Sequence, residues 1–197
     1  MAFQLVQFLF WLSLSTWFGV VLFIAAAAPV IFRTVREANP ILPSVLSVNL
    51  QGQHGTLLAG SIVHNLLSHL KLVQAVAAGL LLVAMVLQSF LIDLSGTNGS
   101  AALVRWGLWL AAAGVLLYDW LAIAPKLARF RKQYVDHADE PEIANPAKEN
   151  FDRLHQRSVT GLQVLLFFLL GMILFSGSIT PKSRGTPIHG TSLQSAN

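Results

Sequence analysis

The stretch from Ser61 to Lys71, SIVHNLLSHLK, carries the side chains of this chain that are best suited to bind something. At about 100° per residue of α-helix, its polar side chains fall within one arc of about 160°, and aliphatic side chains fill the opposite side. The polar set consists of Ser61, His64, Asn65, Ser68, His69 and Lys71. Two interpretations fit this pattern: a functional polar face, or an interfacial helix segment with its polar side in water.

Ionisable groups in three other segments are expected near the same membrane face. They are Arg33 at the end of the first apolar segment, Asp119 within the third, and Asp152 and His155 before the fourth. A charge inside a membrane span is costly, and it usually faces the protein interior, pairs with another charge or marks a pathway. For Asp119 we therefore expect either an ion pair with Arg33, Lys71 or Lys126, or a role in handling protons or cations.

The histidines do not form a recognisable metal motif, and we predict no metal site. His64 and His69 are five residues apart, about 140° around a helix, so they cannot easily chelate one ion. Either could meet His155 across helices, which makes these three histidines weak metal candidates. His64 or His69 would also suit the axial position of a haem or chlorin, so the sequence permits a tetrapyrrole cofactor without indicating one.

No catalytic motif is present in the sequence. It contains no GxSxG, P-loop, GxGxxG or HExxH pattern, and without cysteine it has no thiolate nucleophile. We therefore expect a protein that is not an enzyme. Nucleic acid is not an expected partner despite the pI of about 9.9, because Lys and Arg do not form a stripe with interleaved aromatic residues.

The composition indicates that membrane-spanning helices position these groups. Of the 197 residues 54% are hydrophobic and 11% charged, whereas soluble domains carry about 25% charged residues. About 20 helical residues cross the hydrocarbon of a bilayer, and four segments are long and apolar enough. They cover about residues 5–32, 72–92, 101–124 and 159–179. Because strand-like alternation is absent, we predict an all-α integral membrane four-helix bundle with the lipid bilayer around it.

Two of the four helices are expected to extend into the cytoplasm. The second should begin near Leu57, and the fourth at Asn145-Pro146, which resembles an N-cap followed by proline at the first helical position. The acidic chain between Tyr134 and Asn145 is expected to be a loop. Residues 1–180 thus form one predicted domain, and the polar tail 181–197 is expected to be disordered.

The basic residues are divided unequally between the two sides of the predicted bundle. Nine lie on the side of the first and third loops, and three lie on the other side. The nine are Arg33, Arg36, Lys126, Arg129, Arg131, Lys132, Lys148, Arg153 and Arg157, and the three are Arg105, Lys182 and Arg184. By the positive-inside rule the first side is cytoplasmic, which predicts a bacterial inner-membrane protein with both termini outside the cytoplasm.

Three stretches resemble the four-helix domain of unknown function typified by the transmembrane-protein-205-like family. They are TWFGVVLFIAAAAPVIFRTV in the first helix, WLAIAPKLARFR at the end of the third and ENFDRLHQRSVTGLQ before the fourth. The matching residues are Trp17, Gly19, Pro29, Phe32 and Arg33, then Phe151, Leu154, His155 and Ser158. The resemblance implies a four-helix membrane fold and supplies no established reaction. The polar face of the second helix departs from it, which leaves room for a specialised use.

We therefore expect a small, non-enzymatic integral membrane protein, transport-related or accessory, with a polar and ionisable cluster at the cytoplasmic end of the bundle. The alternative is a subunit of a larger respiratory or photosynthetic membrane complex, in which a histidine of the second helix holds a tetrapyrrole. Besides lipid, its expected partners are other membrane-protein subunits or a second copy of this chain.

Overall fold

The described part of the fold consists of long helices. A computed structural model describes residues 1–41, 53–91 and 99–177. Its elements are α1 (Ala2–Glu37), α2 (His54–Leu91), α3 (Gly99–Tyr118), a π-helical segment (Asp119–Ile123), α4 (Ala124–Asp136) and α5 (Pro141–Ser176). Because α3, the π-helical segment and α4 are continuous, the described residues contain four helices long and apolar enough to cross a membrane, and none of these residues is in a strand. This confirms the predicted all-α four-helix class.

The helix ends differ from the sequence expectation in three places. α2 begins at His54 rather than near Leu57, and the third helix also extends beyond its predicted span, through α4 to Asp136. α5 begins at Pro141, where the fixed φ of proline suits the first helical position, so Pro146 lies inside the helix. The predicted acidic loop is therefore reduced to residues 137–140. The predicted tail, 181–197, lies outside the described residues.

Helices α1 and α2 are antiparallel, and the two ends of the bundle differ chemically. The side chain of Gln7, near the start of α1, contacts that of Gln88, near the end of α2. At the other end a Cβ on Gly55 would lie 3.3 Å from the Cα of Arg36, so glycine permits this close approach of α1 and α2. We call the end where α1 and α4 finish and α2 and α5 begin the basic end, because the nine basic residues named above lie there.

The core sits between the four helices along the middle of the bundle. Trp17 is fully buried there against Leu14, Leu81 and Leu169 within one apolar cluster. Alanines at buried positions of α2 and α3 let the helix backbones approach closely, as small residues do in membrane bundles. These alanines are Ala77, Ala78, Ala84 and Ala112. Large apolar side chains cover the outer faces, where acyl chains would contact them.

Candidate functional site

A cavity of about 320 Å³ opens into the bundle at the basic end. Residues from all four membrane helices line it, and most of the lining is apolar. The apolar wall includes Val63, Leu67, Leu116, Leu162 and Leu165. A concave, mostly apolar space with a few converging polar groups is the usual form of a small-molecule site, and the volume lies at the lower end of the usual range.

Asp119 joins three helices inside this cavity. Its Oδ2 atom lies 3.0 Å from Nζ of Lys71 on α2, and its Oδ1 atom accepts a hydrogen bond of 2.6 Å from the hydroxyl of Ser158 on α5. The side chains of Lys71 and Asp119 are 18% and 19% exposed. Of the two roles predicted for Asp119, the ion pair is therefore present, with Lys71 as the partner. The opposite charges of Lys71 and Asp119 therefore add no net charge to the cavity.

A break in helical geometry accompanies Asp119. The backbone N–H of Ala124 bonds to the carbonyl of Asp119, five residues back, which is the π-helical pattern. Pro125 follows directly; it has no N–H to donate, and its ring would collide with the carbonyl of residue 121 in a regular α-helix. The wider turn relieves that collision. Such π-bulges occur frequently at functional sites.

Arg131 is a partly buried cation of the cavity that no carboxylate of the described residues neutralises. Its Nη1 donates to the carbonyl of Gly60 at 3.3 Å, and its Nη2 donates to the carbonyl of Leu57 at 3.2 Å and to the hydroxyl of Ser61. All three acceptors are neutral oxygens of α2. In the part of the chain that the structure describes, no ion pair includes Arg131. The guanidinium thus tethers α4 to α2 and keeps its positive charge.

The π-helical segment explains why the sequence did not group Arg131 with Asp119. Twelve residues of regular α-helix turn through about 1,200°, which would leave the two side chains about 120° apart. The extra residue of a π-bulge removes about 100° of that rotation, so the difference falls to about 20°. Both residues consequently line the same cavity.

The deepest polar group of the cavity is the amide of Gln74, one turn beyond Lys71 on α2. Gln74 is 1% exposed and lines the cavity, and its Oε1 atom has no hydrogen-bond partner. A buried carbonyl oxygen without a donor costs about 1–3 kcal/mol. A ligand or water that brings a donor to this position would therefore be stabilised.

Aromatic and polar side chains form the mouth of the cavity. The Tyr134 hydroxyl donates to Oε1 of Gln53 at 2.7 Å, and Nζ of Lys148 lies 6.0 Å from the centre of the Tyr134 ring. The rings of Phe151 and His155 stack with centroids 5.8 Å apart. Through these contacts, α4 meets α5 and the residue that precedes α2 at the opening of the cavity.

The structure brings together six of the nine side chains that were predicted as a polar cluster. His64, Ser68, Lys71, Asp119, Asp152 and His155 line the cavity, whereas Arg33, Asn65 and His69 do not. Arg33 is 72% exposed and lies 3.9 Å from Glu37 of its own helix. The Nδ1–H of His69 donates to the carbonyl of Asn65 at 2.8 Å on an exposed side of α2. The predicted polar arc of about 160° therefore includes side chains that lie outside the cavity.

The described side chains provide no evident metal site. Within residues 1–41, 53–91 and 99–177, no three His, Asp or Glu side chains are grouped so that they could hold a metal ion. Arg131, Gln74 and Ser158 also take part in the site but were not in the predicted polar cluster. For Gln74 a signal existed, because an amide at the start of an apolar span is costly to bury without a purpose.

A second polar cluster lies at the opposite end of the bundle. Nη2 of Arg105 donates to Oε1 of Gln88 at 2.8 Å, and Nε2 of Gln88 donates to Oε1 of Gln7 at 2.9 Å. The guanidinium also lies 4.5 Å from the centre of the Phe10 ring. Arg105, which the sequence analysis counted among the charges of the less basic side, is only 7% exposed and is therefore part of the bundle interior. We call these residues the Arg105 cluster.

Comparison with known proteins gives one match. The family model of DUF4149, a domain of unknown function, matches residues 12–136, which is more than half of the chain. The match runs from α1 to the end of α4 and leaves α5, with Ser158 and His155, outside it. No curated protein and no solved structure matches the sequence. The chain is therefore a membrane protein that belongs to the DUF4149 family.

Proposed function

We propose that this chain is a non-enzymatic membrane protein, transport-related or accessory, which binds a small molecule in the cavity at its basic end. The observation that carries the proposal is the cavity itself, because a close-packed bundle rarely leaves a space of this size unfilled. Its walls come from all four membrane helices, so an occupant would contact each of them.

The polar contacts support binding more than catalysis. The Ser158 hydroxyl donates to Asp119, and that carboxylate is already paired with Lys71. An activated nucleophile needs a neighbouring base that is free to take its proton. An ion-paired carboxylate is a poor base, so we assign these three residues to holding α2, α5 and the third helix together around the ligand.

We further propose that the basic end faces the cytoplasm of a bacterial inner membrane. The support is the unequal distribution of charge: the nine basic residues lie at this end, while Arg105 at the other end is inside the bundle. Because the chain has no cysteine, Ala2→Cys and Lys132→Cys would each provide one labelling site. In intact cells an impermeant maleimide should label the first variant only, and the reverse result would invert the topology.

The resemblance to the transmembrane-protein-205-like family remains part of this proposal. Its first-helix residues fall within the matched range, and two of them have structural roles here. Trp17 fills the core and Phe32 lines the cavity. Its fourth-helix residues include Ser158, which contacts Asp119. The support is therefore that these residues build the core and the cavity.

Blocking the cavity tests the proposed function. Ala128 lines the cavity but is exposed on α4, so Ala128→Phe would fill the space without overpacking the core. Native mass spectrometry of the gently purified protein should show a bound small molecule that Ala128→Phe removes. Ala26→Phe, an exposed position on α1 away from the cavity, is the matched control and should retain it. If the wild type and both variants carry the same adducts, or none, the cavity is not a binding site.

A second candidate function is a subunit of a larger respiratory or photosynthetic complex with a tetrapyrrole. The observation that favours it is His64, which lines the cavity, whereas His69 lies outside it. Absorbance of the purified protein in the Soret region is the test. A Soret band lost in His64→Ala and kept in His69→Ala would favour this candidate over the first.

A further inference from the structure

We infer that the cavity ligand is an amphipathic anion: an acidic group bound at Arg131, attached to an apolar body that lies along the aliphatic wall. This inference rests on the proposed function and names the chemical class of its ligand. It would apply equally to a fatty-acid-like molecule and to the acidic headgroup of a membrane lipid.

The charges that line the cavity are the first support. Lys71 and Asp119 form a close ion pair and cancel. Lys148 and Asp152 lie near the mouth, one turn apart on α5, and carry opposite charges, and Asp152 is exposed to water. Arg131 is left as a partly buried cation that is fixed by its bonds to α2 and has no counter-charge among the described residues. An anion that displaces water there would gain a charge-assisted hydrogen bond.

The donor arrangement of Arg131 is the second support. A guanidinium carries five N–H donors, and the three bonds to Leu57, Gly60 and Ser61 leave two of them unused. Because those three bonds fix the plane of the group, the remaining N–H groups are already oriented. These fixed N–H donors favour an anionic acceptor, such as a carboxylate or phosphate oxygen, over a neutral acceptor, and they exclude a cation.

The apolar wall provides the remainder of the ligand class. The cavity lining includes Leu67, Leu116, Leu162 and Leu165, an aliphatic surface that a hydrophilic anion would not use. Burying apolar surface contributes about 25 cal/mol per Å², so an alkyl body adds substantially to binding. The amide of Gln74 lies on this wall with an unpartnered oxygen, which favours ligands or waters that carry a donor there.

Binding of dodecanoate to the protein in phosphatidylcholine nanodiscs tests the inference. Equilibrium dialysis of the radiolabelled acid would be measured against protein-free nanodiscs, with unlabelled dodecanol and dodecyltrimethylammonium as competitors. We expect saturable binding of dodecanoate, at least tenfold weaker competition by the alcohol, and no competition by the cation. Nanodiscs that contain phosphatidylglycerol distinguish the sources: a lipid headgroup in the site would reduce dodecanoate binding, whereas a site for a free acid would be unaffected.

The variants give the inference its specificity. Arg131→Gln should weaken dodecanoate binding about tenfold or more, because a hydrogen bond to a charged group is lost. Lys132→Gln removes the same charge from an exposed neighbour outside the cavity and should leave binding unchanged. Ala128→Phe should abolish binding by filling the space, independently of any loss of stability in Arg131→Gln.

The outcomes separate the two proposals. Equal effects of Arg131→Gln and Lys132→Gln, or competition by the alcohol as strong as by the acid, would overturn the assignment of an anion. If dodecanoate does not bind while mass spectrometry still finds a small molecule that Ala128→Phe removes, the ligand class is wrong and the proposed function stands. If Ala128→Phe removes nothing, the proposed function itself fails.

Discussion

The two ends of this bundle differ in how they accommodate arginine side chains. At one end, Arg105 is buried, contacts Gln88 and lies over the Phe10 ring. At the other, Arg131 is partly buried beside a cavity that also contains Lys71 and Asp119. The two regions are about 21 Å apart along α2, measured from Gln74 to Gln88 at 1.5 Å per residue.

A polar cluster that only stabilises the fold can be distinguished from one that binds a ligand by whether its side chains line a cavity. The Arg105 cluster ties α1, α2 and α3 together, and no described cavity is lined by its members. Lys71, Asp119 and Arg131 at the basic end also connect helices, but these side chains line the cavity. Loss of a contact should therefore affect mainly stability at the first end and mainly binding at the second.

The largest effect on stability is expected from Gln88→Leu. This change leaves the buried Arg105 without its acceptor and Gln7 without its donor, and we expect the free energy of unfolding to fall by about 3 kcal/mol. Denaturant titration in mixed micelles would measure it, and dodecanoate binding should not change. The double variant Gln88→Leu with Arg105→Leu should recover much of the loss, because no buried charge then remains. A double variant that is less stable than the single one would contradict this account.

An intermediate effect is expected from Asp119→Asn. The amide oxygen can still accept the Ser158 hydrogen bond, but Lys71 loses its counter-charge at a site that remains partly open to water. We expect a loss of about 1 kcal/mol in the free energy of unfolding, smaller than for Gln88→Leu. The cavity gains one uncompensated positive charge, so dodecanoate should bind several-fold more tightly. Weaker binding of the acid in Asp119→Asn would break the proposed division between the two ends.

The sequence predicted the number of apolar helices well and the direction of the side chains around each helix poorly. Hydropathy located four apolar helices, and the polar run from Ser61 to Lys71 contains three residues that line the cavity, His64, Ser68 and Lys71. Apolar side chains face both lipid and core, so periodicity could not show which helix sides meet each other. The rotation introduced at the π-helical segment moved Arg131 onto the face of Asp119, and the hydropathy pattern gave no sign of it. The sequence counted Arg105 among the charges of the less basic side, and its composition gave no sign that this guanidinium would be buried against Gln88.

The smallest effect is expected from Arg33→Ala. The sequence placed Arg33 in the polar cluster because it ends the first helix at the same depth as His64 and Asp119. Its side chain is 72% exposed and the paired Glu37 is 71% exposed, so solvent and salt screen the contact between them. We expect the free energy of unfolding to change by less than about 0.5 kcal/mol and dodecanoate binding to remain at the wild-type level. Arg131→Gln removes the same charge at the same end of the bundle, yet it should weaken binding about tenfold. If Arg33→Ala weakened binding as strongly as Arg131→Gln, the acid would be held by the basic surface as a whole, and the cavity would lose its special role.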